Sequence, residues 1–533
     1  MELPRSTRIF RRTLRGLPAP KYGVGYEPGI RIPMPDGVEL LADRYFPDLT
    51  GAQGILDFPT LLVRSPYGRG FPWAALYGAA FAGQGYHVLL QSSRGTGGSG
   101  GTVQPWRDDG SDGRATVAWL REQTWFDGRL GLLGPSAMAY AAWALAAAPP
   151  PEVKAMVVHI PLHDPYGFFY RGEVFALEDA LIASTAFETQ HLGPRRFLGA
   201  TVRLARGMKR IVRAEQPAEE LARVMGQRVP VLDGAITHPD PGDGYWQGTD
   251  HPASADGRTV PTLVVGGWSD VALDQALQQY GRLPAGGRSL LIGPWTHTSA
   301  LRQGIGRVFE ETLAWFQGHL VDPTPPKGRV RVSVGPDAVW RELPAWPPAA
   351  VPVTWYLQGD GTLSRDCPGP GSAARALDYD PADPTPSLGG MGLGRTAGVR
   401  DTSKVEQRSD VLVYSTPPLA ETVEVIGPVA ADVMARIPAT GDATVFVRLC
   451  DVDERGRSWN VCDGIAKVPA DGAVQEVTAV AVAVAMSATA HRFLPGHRIR
   501  VQISGGAHPR FAATRHAHRI EILPGSAVVV PVI

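Results

Sequence analysis

The chain has 533 residues, too many for a single hydrophobic core, and its length predicts two or three domains. Basic and acidic residues balance at 52 each, so nucleic acid is not expected as the main partner. Three cysteines without metal-ligand spacing (Cys367, Cys450 and Cys462) predict neither a disulfide framework nor a zinc site, and they favour a reducing, cytoplasmic location. No apolar stretch is long enough to span a bilayer, so no membrane partner is expected.

Residues 1–28 are predicted to form a basic N-terminal arm. The arm lacks the apolar core of a signal peptide. Its positive charge comes from Arg5, Arg8, Arg11, Arg12 and Arg15. A disordered or loosely packed lead-in is expected here, in preference to a segment that binds anionic surfaces.

Short apolar runs alternate with helical patterns over residues 29–165 and 256–322. The predicted strands are Thr60–Val63, His87–Gln91, Leu130–Leu133, Val153–Ile160, Thr262–Gly266 and Ser289–Ile292. The predicted helices include Ser111–Glu122, Met138–Ala148 and Ala272–Tyr280. Uninterrupted apolar runs suit parallel strands that are covered on both faces, and alternation of strand with helix indicates an α/β domain.

Two further regions are predicted from a change of pattern. Residues 166–255 have helical periodicity, with Leu204, Met208 and Ile211 on one face, and are interpreted as a helical cap inserted into the α/β domain. The arginines on the other face of the cap are expected to be solvated. Residues 327–533 contain alternating runs separated by Gly, Pro and Asp, which predicts an all-β domain, a sandwich or a jelly roll of the galactose-binding-like class.

Three polar residues follow predicted strands in an order that suits nucleophilic catalysis. Gly134-Pro135-Ser136 ends an apolar run and opens an alanine-rich helix, the setting in which a sharp strand-to-helix turn exposes a serine hydroxyl. Asp270 and His297 each follow a later strand, so all three side chains are expected at the carboxyl edge of the sheet. His297 would take the serine proton, and Asp270 would fix the imidazole tautomer. Each residue alone has a structural explanation, but their order favours a triad.

Several segments carry a resemblance to a known family. They are Met34–Leu40, Arg64–Tyr67, Arg94–Gly100, Trp119–Gly134, Asp380–Gly390 and Asp410–Tyr414. On these segments the chain resembles the CocE/NonD-type serine hydrolases, the group of cocaine esterase, X-prolyl dipeptidyl peptidases and α-amino-acid ester hydrolases. The resemblance implies an α/β-hydrolase domain with a helical cap and a C-terminal jelly roll, and it implies neither a cofactor nor a metal.

The resemblance also implies roles for individual residues. It assigns Ser136, Asp270 and His297 to the triad, and it makes the Tyr67 hydroxyl and the backbone N–H of Ala137 the donors to the oxyanion. It further places Trp268 and Trp295 in the wall of the substrate pocket.

The chain departs from the family around the nucleophile. The family reads Gly-X-Ser-Tyr-X-Gly, whereas this chain has Ala137 after the serine and Ala139 in place of the later glycine. The backbone donor at residue 137 is retained, but the pocket beside the serine is expected to differ in shape. The run Gly95–Gly100 matches G-x-G-x-x-G but does not open a helix, so no nucleotide cofactor is expected.

The sequence therefore predicts a hydrolase that cleaves a carboxylic ester or amide of a small molecule through an acyl-Ser136 intermediate. Three alternatives stay open: an X-Pro dipeptidyl-peptidase, an acyltransferase that uses the same triad, and a non-catalytic binding protein on the same fold. Neither the substrate nor the oligomeric state is predicted.

Overall fold

The structure is a computed structural model, and it describes residues 2–14, 16–49, 57–252, 259–322, 324, 326–369, 371–437, 443–468 and 478–533. Residues 253–255 of the predicted cap and Arg15 of the predicted arm lie outside the described residues.

A ten-stranded sheet occupies the N-terminal two thirds of the chain. The strands of this region are β1 Gly23–Pro33, β2 Glu39–Asp48, β3 Thr60–Ser65, β4 His87–Ser92, β5 Leu130–Pro135, β6 Val153–His159, the short pair β7 Tyr170–Arg171 and β8 Val174–Phe175, β9 Thr262–Ser269, β10 Arg288–Thr296, β11 Val330–Val334 and β12 Val339–Leu343. The order in the large sheet is β1-β2-β4-β3-β5-β6-β9-β10-β11-β12. From β4 to β11 neighbouring strands are parallel, and antiparallel strands flank them at both edges.

The helices of this region cover the two faces of the sheet or form a cap beyond it. They are α1 Arg5–Thr13, α2 Ala80–Ala82 (which continues a π-helical turn, Ala74–Ala79), α3 Asp109–Arg121, α4 Ala137–Ala146, α5 Pro165–Phe169, α6 Leu177–Thr189, α7 Pro194–Ile211, α8 Pro217–Met225, α9 Pro230–Thr237, α10 Leu273–Arg282, α11 His297–Ala300 and α12 Ile305–Phe316. The central strands β3, β4 and β5 are buried along their whole length, as their unbroken apolar runs predict.

Helices α5 to α9 form a cap between β6 and β9, with an apolar cluster of its own. Leu204 and Ile211 of α7 are buried in that cluster, and Met208 packs against it. The opposite face of α7 is exposed, and its Arg210 forms an ion pair with Glu220 of α8. The arginine face is therefore largely solvated, as predicted.

Two antiparallel sheets form the C-terminal region. Their strands are β13 Val351–Leu357, β14 Leu363–Ser364, β15 Arg375–Tyr379, β16 Val411–Ser415, β17 Val423–Ile437, β18 Thr444–Val452, β19 Ser458–Lys467, β20 Thr478–Phe493, β21 Arg498–Ser504, β22 His518–Ile522 and β23 Ala527–Val532. One sheet has the order β14-β13-β23-β17-β22-β15, with β20 also paired to β17, and the other has the order β16-β21-β18-β19. Residues of both sheets share one apolar core, so this region is a β-sandwich.

Two expectations about the borders of these regions need correction. The arm is not a loose lead-in: it contains α1, where Phe10 packs edge-on against Phe71 at 4.7 Å, and β1 already begins at Gly23. Strands β11 and β12 lie in the predicted C-terminal region but extend the large sheet, with β11 parallel to β10. Alternation of apolar and polar residues along a strand indicates which face is buried, but not which sheet the strand joins. The sequence therefore could not show that β11 and β12 belong to the large sheet.

Candidate active site

Ser136 lies at a sharp turn between β5 and α4. Its backbone has φ 55° and ψ −123°, a strained conformation for a residue with a side chain. A Cβ atom on Gly134 would lie 2.7 Å from the backbone carbonyl carbon of Met138, so the turn requires glycine at that position. Ser136 is partly exposed whereas its neighbours Pro135 and Ala137 are buried, and the turn therefore presents the serine hydroxyl outward.

His297 links Ser136 to Asp270. Its Nε2 lies 3.1 Å from Ser136 Oγ, and its Nδ1 lies 2.7 Å from Asp270 Oδ1. Asp270 follows β9 and His297 follows β10, which are adjacent and parallel, so the two side chains reach the same edge of the sheet. Asp270 is fully buried, and its Oδ1 also accepts the backbone N–H of Ala272 at 3.1 Å. A buried carboxylate on Nδ1 fixes the tautomer in which Nε2 accepts a proton from the serine.

The Tyr67 hydroxyl lies beside the nucleophile, near the Ser136 side chain and the Ala137 backbone. The phenol ring is fixed by two aromatic neighbours, Trp73 at 5.8 Å and Phe187 at 5.4 Å between ring centroids. Burial raises the pKa of Tyr67 to about 12, so the hydroxyl keeps its proton at neutral pH and is able to donate.

A small cavity of about 70 Å³ adjoins the N-terminus of α4. Its lining combines Ala137 and Tyr140 with the aromatic residues Trp106 and Phe187 and the carboxylate of Glu188. No hydrogen bond or ion pair joins the Glu188 carboxylate to the residues that the structure describes, and burial raises its pKa. The sequence offered no signal for Phe187 or Glu188, because both come from cap helix α6, whose position depends on tertiary packing.

The hydroxyl of Tyr140 ties this helix to the cap. It lies 2.9 Å from the carbonyl oxygen of Trp106 and 2.8 Å from that of Thr249. Because Tyr140 is buried one helical turn after Ser136, the loop before α3 and the end of the cap insertion are both fixed relative to the nucleophile.

The two tryptophans predicted for the pocket wall do not line the small cavity. Trp295 is only 6 % exposed and packs at 5.7 Å from Trp340 in the core beneath α12. Side chains of β10 alternate between the faces of the sheet, and residue 295 belongs to the face that α12 covers. Trp268 does line a cavity, but a larger one whose other walls come from β10, β11 and the β-sandwich, and whose lining includes none of Ser136, Asp270 or His297.

The described residues contain no group of three or more His, Cys, Asp or Glu side chains arranged to hold a metal ion. Among the helices of the same residues, none is both long and apolar enough to cross a membrane.

Comparison with known proteins shows the family of the chain. Residues 36–299 match the model of the X-Pro dipeptidyl-peptidase (S15 family), and residues 321–527 match that of the X-Pro dipeptidyl-peptidase C-terminal non-catalytic domain. Cocaine esterase from Rhodococcus sp. (strain MB1 Bresler) is 31% identical, with 90% of this chain and 91% of the relative covered. The chain belongs to the S15 family. It is a hydrolase of that family, and the resemblance to CocE/NonD-type enzymes is confirmed.

Solved structures of similar proteins support the same fold for this S15-family chain. An aminopeptidase from the marine sediment archaeon Thaumarchaeota archaeon has a TM-score of 0.80 at 21% identity, with 97% of each chain covered. A selenomethionine-labelled α-amino acid ester hydrolase has a TM-score of 0.79 at 21% identity, covering 97% of this chain and 98% of the other. At this identity the likeness establishes the fold, an α/β-hydrolase domain followed by an all-β domain.

Proposed function

We propose that the chain is a serine hydrolase that cleaves a carboxylic ester or amide through an acyl-Ser136 intermediate. The observation that carries this proposal is the continuous hydrogen-bonded path from Ser136 Oγ through His297 to the buried Asp270, with spacings of 3.1 Å and 2.7 Å. A partly exposed serine at a strained turn is the remaining requirement for attack on a substrate carbonyl.

In the first half of the reaction, Ser136 Oγ bonds to the carbonyl carbon while His297 Nε2 takes the hydroxyl proton. The Tyr67 hydroxyl and the Ala137 N–H stabilise the negative charge that develops on the carbonyl oxygen. His297 then gives its proton to the leaving alcohol or amine as the bond to that group breaks. In the second half, water attacks the acyl-serine with His297 again as the base, which releases the acid and restores Ser136.

The test is labelling with a fluorophosphonate probe, followed by mass spectrometry to locate the adduct. We expect one adduct, on Ser136, and no adduct in the Ser136→Ala variant. Ser99→Ala is a matched control that should still be labelled, because that hydroxyl is buried and donates to the Ser92 carbonyl at 3.0 Å. A folded protein that takes no label would favour the non-catalytic binding protein. Transfer products formed with added alcohols or amines would favour the acyltransferase.

A second candidate function is cleavage next to a substrate amine, as in an X-Pro dipeptidyl-peptidase. The unpaired carboxylate of Glu188 favours this function. A substrate ammonium group would pair with this carboxylate in the small cavity that also contains Ala137. The comparison of p-nitrophenyl butyrate with Ala-Pro-p-nitroanilide separates the two candidates. If the amine-bearing substrate is the true one, Glu188→Gln lowers kcat/KM for the anilide about tenfold or more and leaves the neutral ester unchanged.

A further inference from the structure

The larger cavity, which contains Trp268, has the dimensions of a ligand site. Its volume is about 610 Å³, within the range of about 300–1,000 Å³ in which proteins bind small molecules. It lies where β9, β10 and β11 end, between the large sheet and the β-sandwich. The crevice outside the carboxyl ends of parallel strands is where α/β proteins bind ligands. Its lining residues include neither the members of the proposed triad nor Tyr67, so it is distinct from the candidate active site.

Two fixed indole rings contribute to its walls. Trp268 donates from Nε1 to the carbonyl oxygen of Ser333 at 2.6 Å, and its ring packs 5.6 Å from that of Trp346. Trp459 donates from Nε1 to Asp453 at 3.3 Å, and the guanidinium of Arg457 lies 5.1 Å from its ring. Rings that are held in place lose little conformational entropy on binding, so both offer a preformed surface to an aromatic ligand.

The acidic residues inside the cavity already have hydrogen-bond partners within the protein. Asp451 is buried and bonds to two imidazoles, His491 Nε2 at 2.9 Å and His497 Nδ1 at 2.8 Å. Asp453 accepts from Arg457 Nε at 2.8 Å. The other charged lining residues, Glu454 and Arg455, are exposed at the rim. Both carboxylates are thus engaged within the protein and are not offered to a ligand cation, which favours a neutral ligand.

The imidazole of His497 offers a hydrogen-bonding atom to a ligand. Its Nδ1 bonds to Asp451, and its Nε2 has no partner among the described residues. Because Nε2 accepts when the ring is neutral and donates when the ring is protonated, a ligand group that both donates and accepts can bond to it in either state. A hydroxyl is such a group.

We propose that this cavity is a second, non-catalytic binding site for a neutral hydroxylated aromatic compound, of the phenol class. The ring lies against the indoles of Trp268 and Trp459, and the hydroxyl exchanges a hydrogen bond with His497 Nε2. This proposal does not depend on catalysis by Ser136.

The probe for the test is 2-naphthol, whose fluorescence reports binding directly. Val399 is 59 % exposed at the rim of the cavity, so its substitution leaves the core intact. Val399→Trp places a large ring in the opening, and Val399→Ala is its matched control. We expect 2-naphthol to bind the full chain at one site with a Kd below about 1 mM. Val399→Trp should weaken binding at least tenfold, whereas Val399→Ala should retain it. Circular dichroism spectra and melting temperatures establish that both variants are folded.

A matched ligand tests the chemical class. In 2-methoxynaphthalene the rings are retained but the donor is lost, so its affinity should be about tenfold weaker. Titrations are repeated on protein treated with the fluorophosphonate, so that binding near Ser136 is separated from binding at this cavity. If the treatment does not label Ser136, the proposed function fails while the Val399 pair still tests the site. Absence of saturable binding, or equal binding by the two Val399 variants, would overturn the site. Equal affinity for the two naphthalenes would overturn the phenol class.

Discussion

Replacement of Tyr67 by phenylalanine isolates one hydrogen-bond donor of the proposed oxyanion site. The ring rests against Trp73 and Phe187, so its position should survive the loss of the hydroxyl. Removal of one oxyanion donor costs about 2.7–4 kcal/mol of transition-state stabilisation, which lowers kcat about 10²–10³-fold. The upper part of that range is expected, because the same burial that raises the pKa of Tyr67 to about 12 lowers the local dielectric around the developing charge.

The assay is hydrolysis of p-nitrophenyl butyrate, with kcat and KM determined separately. We expect the loss in kcat with little change in KM, because the donor acts mainly on the transition state. Activity should not vanish, since the Ala137 N–H remains. Tyr170→Phe is the matched control: its hydroxyl donates to the Ala235 carbonyl inside the cap at 3.0 Å, and its loss should leave kcat within about twofold. A folded Tyr67→Phe variant with kcat within about fivefold of the parent would refute the assignment.

Three further changes have defined outcomes. Asp270→Asn turns an amide N–H toward His297 Nδ1 and so favours the wrong tautomer. We expect kcat to fall about 10⁴-fold while the melting temperature changes little, and a loss below tenfold would contradict the proposed role of Asp270. Gly134→Ala forces a Cβ atom to 2.7 Å from the Met138 backbone, and it should lower the free energy of unfolding in urea by about 1–3 kcal/mol. The control is Gly199→Ala, in an open position of α7, which should be neutral or stabilising. Burial, together with nearby Asp179, raises the pKa of Glu178 from 4.5 to about 7, so folding disfavours its ionised form and stability should fall as pH rises from about 4.5 to 7. Glu178→Gln should remove that decline and raise the unfolding free energy at pH 8 by about 2–3 kcal/mol; equal pH dependence of the two proteins would contradict it.

Strand ends made the proposed triad predictable. Ser136, Asp270 and His297 each follow an apolar run, and parallel strands deliver the residues after them to one edge, so their proximity follows from the pattern. The position of Tyr67 could not be predicted in this way, because a tyrosine after a proline follows no pattern that indicates a site. Only the family resemblance predicted its hydroxyl beside Ser136.

What the sequence concealed depends on tertiary packing. The face of the sheet on which Trp295 lies is set by the register of β10 within the sheet. The apolar ring of Trp295 suits a core as well as a pocket, so its composition does not distinguish the two. Phe187 and Glu188 reach the small cavity because of how α6 sits over α4, and periodicity along α6 contains no information about that placement. The helical arm had the same ambiguity, because its basic residues indicate solvent contact whereas Phe10 anchors it to Phe71.

Strands β11 and β12 have a consequence for how this protein can be divided. The two strands belong by sequence to the C-terminal region, yet they cover the edge of β10, the strand that leads into His297. A fragment ended at Asp322 would expose the backbone of β10 to pairing with other chains. A division of the chain must therefore fall after Leu343, so that β11 and β12 stay with the sheet beside the proposed catalytic base.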